Sequence, residues 1–202
     1  MGRITETVKH LIIINVIFYV VTFFVPGMNE KMFEWFALFN PSSEYFKPWQ
    51  FVTHMFMHGS FFHILFNMYA LWAFGSPLEQ MWGRNKFLFF YFSAGLGAAG
   101  LYTLANYITG HQGIAVGASG AIYGVLVAFA IRFPDAKLML IFLPVPVAAK
   151  YFVPVLIFLD LFFGIFSVPG DNIAHFAHVG GALIGFLIAW YWKNNQFKRW
   201  DR

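Results

Sequence analysis

No cysteine occurs in the 202 residues, which removes disulfides, thiol nucleophiles and thiolate metal sites together and leaves redox compartment open. Charge is nearly as scarce. Asp, Glu, Lys and Arg make up 11% of the chain, against roughly a quarter in soluble domains. No charge run, repeat or low-complexity tract is present. What fills the chain is apolar: 59% hydrophobic residues, 22% aromatic, and 28 Phe. This is the composition of a membrane protein. Nearly every residue falls in an apolar segment or a short link, so the expectation is one integral membrane domain over residues 1–202. The formal charge of +4 sits at segment ends, where it speaks of topology and against nucleic acid as a partner. Membrane lipid is the expected surrounding partner.

Six segments approach the roughly 20 apolar residues that a helix needs to cross the hydrocarbon layer. They run over about 9–26, 61–78, 86–108, 114–132, 149–167 and 173–192, and predict an all-α bundle. The first follows Arg3 and Lys9 as a secretory signal would, but no small-residue cleavage motif comes after it, so it is expected to be retained. Leu138–Leu143, bounded by Pro144 and Pro146, is too short to span and is expected to be an interfacial connector. With both termini in the cytoplasm, eleven of the thirteen Lys and Arg residues lie inside, and only Lys31 and Lys47 lie outside. The first external link, from Gly27 to Ser60, holds enough aromatic rings to lie partly in the interface, and Ser60 is suited to cap the second span.

Polar residues are few inside these segments, and four of them, from three segments, bracket one level. Ser119 is five residues into the fourth segment and His178 five into the sixth, so at 1.5 Å per residue both are expected about 8 Å deep. His63 and Asn67, at i and i+4, share one face of the second segment near that level. Polar groups at membrane depth are costly unless they pair or face a wet cavity, so these four are expected to converge on a watery pocket. A serine hydroxyl is a weak nucleophile until a base takes its proton, and a Ser–His pair supplies that base. Gly117 and Gly120 allow close backbone approach, and the amides of a nearby helix start suit an oxyanion. Tyr123, four residues on from Ser119, shares its face and is expected to pack on the base. Gly181 and Gly185 form a small-xxx-small pair that permits helix contact, with the fourth segment as the expected partner.

These residues resemble the rhomboid family of intramembrane serine proteases. The resemblance rests on Gly117-x-Ser119-Gly120 with Tyr123, on Ala177-His178-Val179-Gly180-Gly181 with Gly185, on His58-x4-His63-x3-Asn67, and on Glu79-x3-Gly83. It covers nearly the whole chain and implies the minimal six-helix bacterial form in an inner membrane. It implies Ser119 as nucleophile and His178 as general base in a dyad without aspartate. The oxyanion hole would be His63, Asn67 and the Ser119 amide, with His58 near the cavity mouth. Substrates would be single-span membrane proteins cut near the extracytoplasmic face, entering past the fifth span or the 167–171 loop, with no metal or organic cofactor. Trp49-Gln50 departs from the Trp-Arg pair of many bacterial members and puts the hydrogen bonding of that loop in question.

Blander readings remain beside this one. A lone Gly-x-Ser-Gly is usually helix packing, and His63 and Asn67 alone would be interhelical hydrogen bonders. His54-x3-His58 has zincin spacing but Met55 stands where the glutamate is needed, so no metal is expected there. His175 is expected at a cavity rim. Asp160, the one acid well inside a segment, is expected to be a hydrogen-bonded structural residue, and Glu79 to be hydrated at a span end. A non-catalytic adaptor that binds transmembrane helices and a proton-coupled carrier using Asp160 are the alternatives. The oligomeric state is left open.

Overall fold

The computed structural model describes residues 3–111, 113–140, 143–166 and 174–196. Helix α1 (Glu6–Phe24) starts at a site supplied by another part of the chain. The amides of Thr7 and Val8 each donate to the Glu79 carboxylate at 3.0 Å, and the Thr5 hydroxyl donates to it as well. First-turn amides have no intrahelical acceptor, and the helix dipole favours an anion at this end. Glu79 is therefore buried in a polar cap, not hydrated as expected from its place at a span end.

The link after α1 is built, not loose. It contains α2 (Asn29–Phe36) and α3 (Gln50–Thr53), followed by a 3₁₀ turn over His54–Phe56. Gln50 is wholly buried between them. Its side-chain oxygen accepts from the amides of Phe39 (3.4 Å) and Lys47 (3.1 Å), and its nitrogen donates to the carbonyls of Glu34 and Tyr45 at 3.0 Å each. The question raised by the missing arginine is thus answered for this loop: the neutral amide has both donors and acceptors, and ties four backbone groups. Trp49 adds a bond from its indole N–H to the Trp35 carbonyl at 2.9 Å.

Ser60 caps α4 (Phe61–Ala70), its hydroxyl accepting from the His63 amide at 3.2 Å. The helix continues through a π turn at Leu71–Gly75 into α5 (Ser76–Trp82). Pro77 lacks the N–H that a regular ladder requires, and the widened turn just before it accommodates that loss without ending the rod. Gly83, at φ 78°, then turns the chain into α6 (Arg84–Thr109).

Helix α7 (Ser119–Arg132) starts five residues later than the fourth segment was expected to, because residues 114–118 are not helical: Ala115 bridges to Leu38 and Gly117 has a positive φ. Ser119 is accordingly at the very start of its helix and not a turn and a half inside it. The expected connector is a hairpin, β1 (Lys137–Leu140) antiparallel to β2 (Leu143–Ala148), pairing Lys137 with Ala148. Pro144 and Pro146 stop a helix but are admissible in a strand that has a free edge. Helix α8 (Ala149–Phe166) follows, and α9 (His175–Gln196) lies against α6, α7 and α8. The 167–171 loop, Asp171 and the expected start of the sixth segment at 173 lie outside the described residues.

Helices α1, α6 and α8 are each long and apolar enough to cross a membrane, and α7 is a shorter apolar helix of 14 residues. Their outward faces are rich in large apolar side chains: Phe24, Phe89, Phe158 and Phe166 are among the most exposed. The buried core gathers around Phe87, Phe90 and Tyr91 of α6 with Leu71, Leu78 and Val125.

Candidate active site

Glycines bring the key helices together at backbone contact. A Cβ at Gly181 would overlap the carbonyl of Gly120, and one at Gly185 would lie 2.5 Å from the α-carbon of Gly124. Gly120-x3-Gly124 on α7 thus meets Gly181-x3-Gly185 on α9, the small-xxx-small arrangement that lets helix backbones touch. On the other side of α9, a Cβ at Gly180 would lie 2.5 Å from the Gly97 carbonyl of α6. His178 is one turn before Gly181 and Ser119 is one residue before Gly120, so this seam fixes their separation.

The segment entering α7 is held just as firmly. Leu38 and Ala115 exchange backbone hydrogen bonds (2.9 and 3.0 Å), and the Gly117 amide donates to the His54 carbonyl at 2.9 Å. Gly117 has φ 122°, a conformation that side chains rarely adopt, and a Cβ there would meet the His63 ring at 2.7 Å and lie 3.5 Å from Ser119 Oγ. Glycine is required at this position for both reasons. The His63 ring consequently sits over the backbone that delivers Ser119.

His178 Nε2 is 2.9 Å from Ser119 Oγ, and His178 Nδ1 is 2.8 Å from Asp160 Oδ1. With Nδ1–H donating to the carboxylate, Nε2 offers its lone pair to the serine hydroxyl. The Tyr123 ring lies flat on the imidazole, with centroids 4.2 Å apart and planes 8° from parallel, while its hydroxyl donates to the other Asp160 oxygen. His175 Nδ1 lies 2.7 Å from the same Asp160 Oδ1. The side chains of Asp160 and His178 are only 7% and 11% exposed, so the cluster lies in a setting where each polar group needs its partner.

Where the resemblance implied a pair without aspartate, the structure sets the Asp160 carboxylate against His178. Its partners are absent from its own span but arrive from α7 and α9. His175 is likewise not a rim residue: its side chain is 10% exposed and engaged with Asp160. An acid inside a membrane segment was the available signal, since such groups mark function by default. Only its neighbours were hidden.

The remaining candidates fall in two groups. Asn67 is buried, and one of its side-chain N–H groups donates to its own helix at the His63 carbonyl, 2.8 Å away. His58 is 1% exposed and so does not stand at a cavity mouth; its ring packs edge-on against His63 with centroids 5.0 Å apart. His54, four residues earlier, bonds the Gln50 carbonyl through Nδ1 at 2.8 Å.

Fold and site together define a helical membrane protein whose interior joins a serine hydroxyl, an imidazole and a carboxylate drawn from three helices. The Rhomboid domain family matches over residues 45–195, and the chain belongs to the rhomboid family. It is 34% identical over 198 residues to human presenilin-associated rhomboid-like protein, mitochondrial, covering 95% of this chain and 51% of that protein. It is also 34% identical over 139 residues to the mitochondrial rhomboid protein 1 of Saccharomyces cerevisiae, covering 67% of this chain and 39% of the yeast protein. Rhomboid protease GlpG of Serratia proteamaculans is 31% identical over 175 residues, covering 81% of this chain and 55% of that protein. The chain thus spans about half the length of the curated relatives it matches. The mitochondrial names among them give no support to the expectation of a bacterial inner membrane.

Proposed function

We propose that this chain is an intramembrane serine endopeptidase that cuts single-span membrane proteins near the extracytoplasmic face. In this reading six spans, with α4 to α5 and α7 and α9 completing the set begun by α1, α6 and α8, form one domain with both termini in the cytoplasm. The distribution of Lys and Arg supports that orientation. The observation that carries the chemistry is the continuous chain from Ser119 Oγ through His178 to Asp160, at 2.9 and 2.8 Å.

Ser119 Oγ attacks the scissile carbonyl as its proton passes to His178 Nε2. Asp160 holds Nδ1–H, which keeps the lone pair on Nε2 and stabilises the imidazolium that forms. The carbonyl oxygen becomes an oxyanion, for which the Ser119 amide at the start of α7, His63 and the second N–H of Asn67 are the donors. Collapse of this intermediate breaks the C–N bond, and His178 returns the proton to the leaving amine. Water, activated by the same imidazole, then releases the acyl group from Ser119. No metal or organic cofactor enters these steps. The printed name of the Serratia relative, a protease, agrees with the reading.

The test is cleavage of a reporter helix by purified protein in lipid, with wild type beside Ser119→Ala. Product from the wild type alone is expected. Intact reporter with both, across a panel of small-residue segments, would favour a helix-binding adaptor and sink the protease.

A further inference from the structure

Asp160 carries more than the proposed reaction requires. A base-orienting carboxylate needs one imidazole, yet Asp160 Oδ1 has two within hydrogen-bond distance, those of His178 and His175. One ligand atom from each of Asp160, His175 and His178 lies within 4.8 Å of those of the other two. The two histidines are three residues apart on α9, so the helical period puts both on one face, and Asp160 meets them from α8. Two imidazole nitrogens and one carboxylate oxygen make a donor set of the kind that binds Zn²⁺ tetrahedrally, with water in the fourth position. Tyr123, donating to the other carboxylate oxygen, supplies the kind of outer hydrogen bond that orients a metal-ligating carboxylate.

We propose that Asp160, His175 and His178 form an inhibitory site for Zn²⁺ or a similar divalent transition cation. The cation takes the Nδ1 lone pairs of both imidazoles, and each ring's proton moves to Nε2 through solvent, with no net proton released. Zn–N and Zn–O bonds of about 2.0–2.2 Å in tetrahedral array separate the ligand atoms by about 3.3–3.5 Å. The present contacts of 2.7 and 2.8 Å therefore open by somewhat more than half an ångström, within reach of small side-chain rotations. The consequence falls on Ser119. With metal on Nδ1, His178 presents Nε2–H to the hydroxyl and has no lone pair to accept its proton. The site silences the enzyme through the tautomer of its base, without covering the serine.

Binding of the cation is independent of the protease reading, whereas inhibition rests on it, and the experiment separates the two. Purified Ser119→Ala protein in detergent is titrated with Co²⁺, whose visible spectrum reports tetrahedral coordination. One equivalent is expected to bind. Adding His175→Ala, or His175→Asn, which keeps a donor toward Asp160 and so guards against misfolding, is expected to weaken binding at least tenfold. Wild-type protein is then labelled at Ser119 with a fluorophosphonate. Zn²⁺ is expected to lower labelling at least tenfold, a chelator to restore it, and the His175 variants to require at least tenfold more Zn²⁺ for the same loss. Absence of stoichiometric Co²⁺ binding, or binding that both His175 variants leave unchanged, overturns the site. Binding without loss of wild-type labelling overturns the inhibition. A wild type that fails to label without metal defeats the protease reading, while the cobalt titration still decides the metal site.

Discussion

The seam between α7 and α9 and the seam between α8 and α9 deliver residues to the same cluster by opposite means. In the first, four glycines bring the two backbones into direct contact, and each fixes the other. In the second, α8 buries only Ala149, Val153 and Asp160 of its 18 residues. Its phenylalanines point largely outward, and an apolar cleft of about 570 Å³ opens between it and the other two helices, lined by Val127, Ile131, Ile157 and Phe186. The nucleophile and base are thus set by packing. The carboxylate is set by its hydrogen bonds to Tyr123, His175 and His178, which hold α8 as much as α8 holds them.

That contrast can be broken at either end. The largest expected effect is Asp160→Asn, which replaces the carboxylate that α8 brings to the cluster with a neutral amide. Reporter cleavage should fall by about 10³–10⁴-fold, the scale set by loss of tautomer control in a serine–histidine–aspartate system. Secondary structure by circular dichroism should be unchanged. A drop of less than tenfold would mean that the dyad works without the carboxylate. Next comes Gly181→Val, which forces bulk against the Gly120 carbonyl. It should cost about 1–3 kcal/mol of stability, read as a lower thermal midpoint, and displace His178 enough to lower cleavage by about 100-fold. Wild-type behaviour would show that the glycine seam is not what sets the Ser119–His178 distance. The smallest effect is expected for Phe158→Ala on the outward face of α8, which should shift stability by less than about 0.5 kcal/mol and leave cleavage within twofold. A large loss there would mean that the face of α8 is engaged and not merely in lipid.

The legible parts of the fold were those with local signals. Apolar length marked the helices to within a few residues, apart from α7. There, hydropathy ran on through Ile114 and Val116, although Gly117 and Ser119, a residue needing unusual φ and one that favours helix starts, already marked the boundary. Tyr123 could be placed on the base because i and i+4 share a helix face. The hairpin after α7 was missed because Lys137–Leu140 lacks the alternation that announces a strand. The partners of Glu79 and Asp160 are hidden in the sequence for a common reason. Each was weighed against its own span, while its partners lay 71 to 74 and 15 to 37 residues away.

The sequence by itself determined that the chain is a membrane protein and which stretches are apolar. It also supplied glycines at the four-residue spacing that permits backbone contact, and gave each helix few polar residues. These are properties of composition and period, and they need no knowledge of neighbours. Only the tertiary structure decided which polar groups meet: that Glu79 caps α1, and that Asp160 joins His178, His175 and Tyr123. The pairing of a buried carboxylate depends on how helices rotate about their axes and slide along one another. A span such as α8, apolar almost all round, carries no pattern that fixes either.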